Sequence, residues 1–496
     1  MNLADVIAGH GDDSPALISR GEVTSYGELR RLVAGARGAL ALLGVRADDR
    51  VVILAGNTRH FVVAYLAVVG LGAVAVPLNP GEPAPAVHAA IEHVEPVAVV
   101  VDPVGSTTWA SVDRATLPAS LRHIVVAGRD AAADEESLEQ LSAGEPMPAV
   151  DVAADHLAAL LFTSGTAGAP RAAMLTHGNL LANIAQSSAV DGALRASDVV
   201  LCVLPLFHIF GLNVVLGQTL SAGGSIVLVQ RFDPATALDT VVERKIPVVP
   251  GAPPMWVSWS QFTEAPAGAF ASVRLALTGA AAMPAEAAET FRDRFGLPLR
   301  EGYGLTEAAP VVTTSVGIQP RTGSIGKVLA GNHVRIVDAD GADVLDGDPG
   351  EIWVRGPNVF AGYWHDDEAT ARVLVDGWLR TGDIAVMDDD GYLSLVDRAK
   401  DLIIVSGFNV YPAEVEQVIA ELDGVAEVAV VGVAHPHTGE AVKAYVVAAP
   451  GVELHEDPII DHCHEHLARY KCPTKVLVVP ELPHNAAGKV LRRVLR

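Results

Sequence analysis

The chain has 496 residues, 50% of them hydrophobic and 19% charged, which suits a large buried core and at least two domains and leaves no disordered tract. Lys and Arg total 35 against 59 Asp and Glu, a formal net charge of −24 that argues against nucleic acid or an anionic membrane as the main partner. Three cysteines (Cys202, Cys463, Cys472) make no disulfide framework, the acidic N-terminal stretch is no signal peptide, and no apolar run reaches membrane length, so a cytoplasmic protein without an integral membrane segment is expected.

From residue 25 to about 230, β-branched runs alternate with Ala- and Leu-rich helical patterns. Residues 26–43 and 61–71 read as helices, and 51–55, 73–77, 97–101 and 225–229 as strands. That alternation predicts a mostly parallel, doubly wound α/β sheet. Leu160, Leu161 and Phe162 suggest a further buried strand feeding a loop. Between about 320 and 395, residues 334–337 and 350–354 read as short antiparallel strands flanking an Asp-Gly turn, a small β subdomain. A charged stretch at 397–401 then leads into a strand (402–406), a helix (412–422), strands at 425–433 and 441–448, a helix (458–468) and a last strand at 475–479. These form a small α+β C-terminal domain.

The loop at 163–171 reads Thr-Ser-Gly-Thr-Ala-Gly-Ala-Pro-Arg. Gly165 and Gly168 allow unusual backbone angles and close approach, Thr163, Ser164 and Thr166 supply hydroxyls, and Arg171 supplies charge, all suited to a phosphate. It lacks the glycine spacing and Lys-Ser/Thr pair of a P-loop. Taken alone, such a loop is more often a solvated turn. Four later segments bear on the choice: Tyr303 to Glu307, Trp378 to Asp383, Asp397-Arg398, and Gly488-Lys489. Thr306 can bond a phosphate oxygen and Glu307 can hold Mg²⁺. Asp383 suits a ribose diol, Arg398 a sugar or phosphate, and Lys489 the charge on a transferring phosphoryl group. Each also has a plain structural reading as a turn, a cap or a solvated surface charge; their joint order and spacing favours the chemical one.

With LPLFHIFG (204–211), TGAAAMP (278–284), EGYGLTE, RTGD, DRAKD, GFNVYPAEVE (407–416) and NAAGK, the whole chain resembles the adenylate-forming superfamily of acyl-CoA synthetases, aryl-CoA ligases, luciferases and peptide-synthetase adenylation domains. The resemblance implies activation of a carboxylic acid by ATP to acyl-AMP, then transfer to CoA. It implies that Thr163, Ser164, Gly165, Thr166 and Gly168 cradle the β- and γ-phosphates, with Arg171 beside them. Thr306 would contact phosphate and Glu307 bind Mg²⁺. Gly279, Ala280 and Ala281 would line the adenine and Tyr303 stack on it, while Asp383 and Arg398 hold the ribose and Lys489 bridges carboxylate and phosphate. It further implies a domain at 1–397, a hinge at 398–400 centred on Lys400, and a mobile lid at 401–496 whose rotation exchanges Lys489 for the Gly407 loop at the pantetheine tunnel. Two departures stand out: relatives usually have Lys-Gly where this chain has Arg171-Ala172, and a threonine at Ala167.

No acidic residue follows the LPLFH segment to pair a substrate ammonium, and no arginine there pairs a second carboxylate, so amino acids and dicarboxylates such as malonate are disfavoured. Phe207, His208, Phe210 and Trp256 offer an apolar lining, although His208 also reads as a hydrogen-bonded core histidine. The expected substrate is a hydrophobic, fatty monocarboxylate. Loading of a carrier protein in place of CoA, or a nucleotide-binding pseudoenzyme, are the alternatives, and monomer and homodimer both remain open. Finally, His462 and His466 sit one helical turn apart, a spacing that can share a metal, but no third ligand is evident and an exposed polar helix face is the favoured reading.

Overall fold

The computed structural model describes residues 1–163, 171–398, 401, 403–405, 408–410, 412–435, 439–467, 469–484 and 490–495. The chain forms two compact units. Met1–Thr322, Gly326–His333 and Val354–Leu379 make the first, and Gly323–Ile325, Val334–Trp353 and Arg380–Arg496 the second. Most of the small β segment therefore groups with the C-terminal residues.

Among the described residues of the first unit, two sheets carry the doubly wound pattern. In one, strands Glu136–Ser137, His123–Val126, Ala98–Val101, Arg50–Leu54, Val74–Leu78 and Leu157–Thr163 run parallel in that spatial order, and Arg171–Thr176 closes the edge antiparallel. In the other, parallel strands Leu299–Gly304, Leu275–Thr278, Val248–Gly251, Val199–Cys202, Ser225–Leu228 and Pro15–Ser19 are flanked by antiparallel strands at both edges.

Helix Arg59–Gly70 is apolar around its whole circumference, and every residue from Phe61 to Gly70 is buried. Such a helix has no solvent face to give away, so it is an interior element; each fully buried Val or Leu contributes roughly 1.5–3 kcal/mol. It starts two residues before the expected 61, because the Thr58 side chain accepts from Phe61 N and caps the first turn. Helix Tyr26–Leu42 is capped the same way by Ser25 on Glu28 N.

Strands His333–Val337, Gly350–Arg355, Trp378–Met387 and Leu393–Arg398, most of whose residues fall in the second unit, belong to one sheet, the last two antiparallel. A further sheet, ordered Phe408–Val410, Ile403–Val405, Gly439–Ala448, Val425–His435, with Lys475–Val478 parallel to Gly439–Ala448, packs on helices Pro412–Ala420 and Glu456–His466. Val415, Ile419, Val430, Val442, Ile459 and Cys463 fill its core. No helix among the described residues is long and apolar enough to cross a membrane.

Candidate active site

Thr163 ends one strand and Arg171 begins the next, the two being register partners, with Thr163 Oγ1 donating to Arg171 O at 3.4 Å. Ser164, Gly165, Thr166 and Gly168 lie outside the described residues.

The strand Arg171–Thr176 has a second neighbour that the sequence did not announce. Residues 361–364 run alongside it: Met174 N donates to Gly362 O, Ala361 N to Met174 O, and Trp364 N to Ala172 O. This places two side chains beside Arg171. Its Nε donates to Asp366 Oδ2 at 2.8 Å, and its guanidinium carbon lies 5.7 Å from the centre of the Tyr363 ring. Asp366 is held below the ordinary carboxylate range, first by the Ala369 N–H that it caps at the start of helix Asp367–Val373, then by Arg171. Tyr363 in turn donates its hydroxyl to Glu307 Oε1 at 2.7 Å. Burial, followed by the Glu307 charge, raises the Tyr363 pKa, so the phenol stays protonated and remains a donor.

Glu307 reaches this point because strand Leu299–Gly304 ends in a tight reversal. A β-carbon on Gly304 would lie 2.2 Å from Pro310 O, so only glycine fits there. The turn Thr306–Ala308 follows, and three buried asparagines hold the backbone just past it. Asn358 Nδ2 donates to Ala308 O and Asn213 Nδ2 to Ala309 O, both at 2.7 Å, while Asn183 bonds both N and O of Val311. Buried amides paired in this way rigidify a turn, since an unpaired carbonyl there would cost about 1–3 kcal/mol. Thr306 and Glu307 thus sit on a braced platform, and a carboxylate is a hard oxygen donor of the type Mg²⁺ takes.

The residues expected around the adenine and acyl groups converge near the same strand ends. A β-carbon on Gly279 would lie 3.3 Å from Gly302 O and 3.4 Å from the Phe210 ring. Ala280 has φ +73°, a left-handed backbone that costs a non-glycine residue about 1–2 kcal/mol. Such strain persists where the surroundings impose it, commonly at ligand sites. Ala281 follows it before Met283, which is buried, and Tyr303 is buried on the neighbouring strand. His208 accepts from Phe210 N through Nδ1 at 3.3 Å, and burial lowers its pKa, so it is a neutral imidazole with its proton on Nε2. Asn57 braces this segment by pairing with Leu204 O, Leu206 N and Val229 O. Phe207 is partly exposed. Trp256 is placed otherwise than expected of a lining residue: it has no accessible surface, packs against Trp259, Phe270 and Phe291, and donates Nε1–H to Leu277 O. On strand Leu299–Gly304, burial pushes the Glu301 carboxyl up to about 7.

Within the second unit, Asp383 and Arg398 are register partners on antiparallel strands, and Asp383 is buried. Glu351 braces the same strand just before Asp383, accepting from Gly382 N at 3.0 Å and pairing with Arg380. The side chain of Arg398, together with Lys400, Gly407 and Lys489, lies outside the described residues.

Sequence reasoning missed Tyr363, Asp366, Glu351 and the asparagines. The readable signal was polar residues alone in apolar runs, as Asn213 is within Phe-Gly-Leu-Asn-Val-Val-Leu.

Two family models match the chain: AMP-binding enzyme over residues 3–364 and AMP-binding enzyme C-terminal domain over 414–489. The chain belongs to the AMP-binding, adenylate-forming enzyme family. Among curated relatives, it is 38% identical to a methyl-dioxo-octahydroindenyl-propanoyl:CoA ligase of Mycobacterium tuberculosis, over 98% of this chain and 96% of that one. It is 37% identical to a feruloyl-CoA synthase of Amycolatopsis over 96% and 94%, and 34% identical to a long-chain-fatty-acid–CoA ligase of Yersinia pestis over 98% and 91%. Among solved structures, ATP-bound MatB from Rhodopseudomonas palustris matches with a TM-score of 0.92 at 33% identity, covering 100% of this chain and 98% of that one.

Proposed function

We propose that this protein is an AMP-forming acyl-CoA ligase acting on a hydrophobic monocarboxylate, with fatty acids as the first class to test. A carboxylate oxygen attacks the α-phosphorus of ATP and the bond to pyrophosphate breaks; the CoA thiol then attacks the acyl carbonyl and the bond to AMP breaks. Curated relatives that match nearly the whole chain carry the names of CoA ligases for ring-bearing, aromatic and long-chain acids, which supports both the acceptor and the apolar substrate.

The observation that carries the reading is the run Glu307–Tyr363–Arg171–Asp366, which joins a carboxylate and a guanidinium through one aromatic ring. In this reading Thr306 and Arg171 orient phosphate oxygens, and Tyr363 holds Glu307 in its rotamer. Mg²⁺ held by Glu307 would supply charge neutralisation on the triphosphate. Asp383 and Arg398 take the ribose, Lys489 steadies the carboxylate against the α-phosphate, and rotation about Lys400 replaces it with the Gly407 loop for the thiol step. Gly279, Ala280, Ala281 and Tyr303 take the adenine. Phe207, His208 and Phe210 flank the acyl chain, with no cationic side chain among them to favour a second carboxylate. Catalysis here is positioning and charge neutralisation in a site that excludes water from the acyl-AMP.

The test is an acid panel from acetate through long-chain to aromatic acids, read by pyrophosphate release with and without CoA. Sustained AMP and pyrophosphate formation only with a hydrophobic acid plus CoA is expected. Release with no acid in the panel, or acyl-AMP that never passes to CoA, would overturn the proposal.

A further inference from the structure

Helix Glu456–His466 carries three histidines that the proposed ligase chemistry does not use, and two of them lie together. His462 and His466 are one turn apart, their ring centres 4.3 Å apart and their planes 41° from parallel. His466 Nδ1 lies 2.9 Å from His462 O. A carbonyl only accepts, so Nδ1 carries the proton and Nε2 keeps its lone pair, the tautomer that a metal-ligating histidine takes. His462 Nε2 is buried without a hydrogen-bond partner among the described residues, and Glu421 Oε2 lies 3.9 Å from it. That distance is too long for a hydrogen bond. Glu421 follows helix Pro412–Ala420, and one ligand atom from each of Glu421, His462 and His466 lies within 4.8 Å of the other two.

We propose that Glu421, His462 and His466 form a binding site for a divalent cation of the zinc class, with water as the fourth ligand. Two imidazoles and one carboxylate suit zinc and disfavour Mg²⁺ and Ca²⁺, which take oxygen donors. Donors at about 2.0–2.2 Å from a tetrahedral ion stand roughly 3.4 Å apart. The Glu421 side chain is 54% exposed, so it turns freely enough to close the remaining gap. The orphaned His462 nitrogen then acquires the partner that burial denies it. The ion joins the end of one helix to the face of another, and both helices already share the core through Ile419, Ile459 and Cys463. It therefore acts as a staple within the second unit, stabilising the folded state by mass action.

The test uses the full chain, stripped with a chelator and supplied with excess Mg²⁺ so that Glu307 does not compete. Zinc chloride is titrated calorimetrically, thermal unfolding is followed with and without zinc, and cobalt(II) reports coordination by its visible spectrum. One zinc per chain, a raised unfolding temperature and a four-coordinate cobalt spectrum are expected. Glu421→Gln and His466→Ala change exposed side chains, so both variants should unfold like the parent without zinc, yet bind zinc at least about tenfold more weakly and lose the zinc-induced shift. Absence of zinc binding by the parent under excess Mg²⁺, or parent-like affinity in either variant, would overturn the proposal.

Discussion

Replacing Tyr363 by phenylalanine removes one oxygen and leaves the rest of the braced site in place. The ring still lies under the Arg171 guanidinium at 5.7 Å, and its burial is kept, so stacking and packing are unchanged. What is lost is a 2.7 Å hydrogen bond from a phenol to a carboxylate. Bonds to charged acceptors are worth about 1.5–3 kcal/mol net, and groups that orient a metal ligand typically change metal affinity about 10- to 100-fold. The two scales agree, since 1.36 kcal/mol is a factor of ten. The assay is pyrophosphate release at saturating ATP and acid with Mg²⁺ varied, alongside thermal unfolding. The apparent Mg²⁺ requirement should rise by roughly one to two orders of magnitude, with kcat at saturating Mg²⁺ largely recovered and the unfolding temperature little changed. An unchanged Mg²⁺ dependence, or a loss of activity that added Mg²⁺ does not rescue, would refute the positioning role.

Asp366→Asn keeps the helix cap, because asparagine caps as well as aspartate, but removes the anion paired with Arg171; KM for ATP should fall, and a KM that rises would count against a phosphate role for Arg171. Glu301→Gln tests a pH effect. The Glu301 folded-state pKa of about 7 stands above the ordinary 4.5, so the neutral form stabilises the fold fully below about 4.5, and that contribution is lost as pH rises to about 7. The variant should therefore outstabilise the parent above neutrality by at most about 3 kcal/mol in denaturant melts, with the difference fading in acid; a pH-independent difference would exclude this origin. Asn213→Ala leaves Leu180 O and Ala309 O without their buried partner and should cost about 1–3 kcal/mol of stability together with activity, measured by thermal shift and turnover. Lys489→Ala should slow adenylation about 100-fold or more while sparing thioester formation from supplied acyl-AMP, and equal loss in both half-reactions would refute its assigned step.

The fold was legible where physics repeats locally. Alternating β-branched and helical runs gave the parallel sheets, and strands such as Val74–Leu78 and Ala98–Val101 fall within a residue of the sequence reading because each apolar run ends at a turn signal. Helix Tyr26–Leu42 was readable for the same reason, with Ser25 marking its start. Pairings across long separations were not. Nothing near Arg171 indicates that it begins an antiparallel edge strand, or that residues about 190 positions later lie beside it. The grouping of the 334–353 strands with the C-terminal unit is likewise a property of packing. Trp256 illustrates the limit of composition: an aromatic after a pocket motif fits lining and core equally well, and here it fills the core. Glu421 illustrates it again, since it comes beside His462 and His466 only once two helices pack.

Arg171 joins the legible and the illegible in one residue. As a letter in the sequence, it is an arginine after Ala-Pro, with no indication of what lies beside it. A compact ammonium could meet either an anion or a ring face at this position, whereas a planar guanidinium can donate at its edge and stack by its face at once. The structure uses both features, with Asp366 at the edge and Tyr363 against the face. Because Tyr363 also holds Glu307, Arg171 is linked to the carboxylate of the Thr306–Ala308 turn through one aromatic ring. A lysine here would keep the charge and lose the coupling. Arg171 is therefore best understood together with Asp366 and Tyr363, as a three-residue unit.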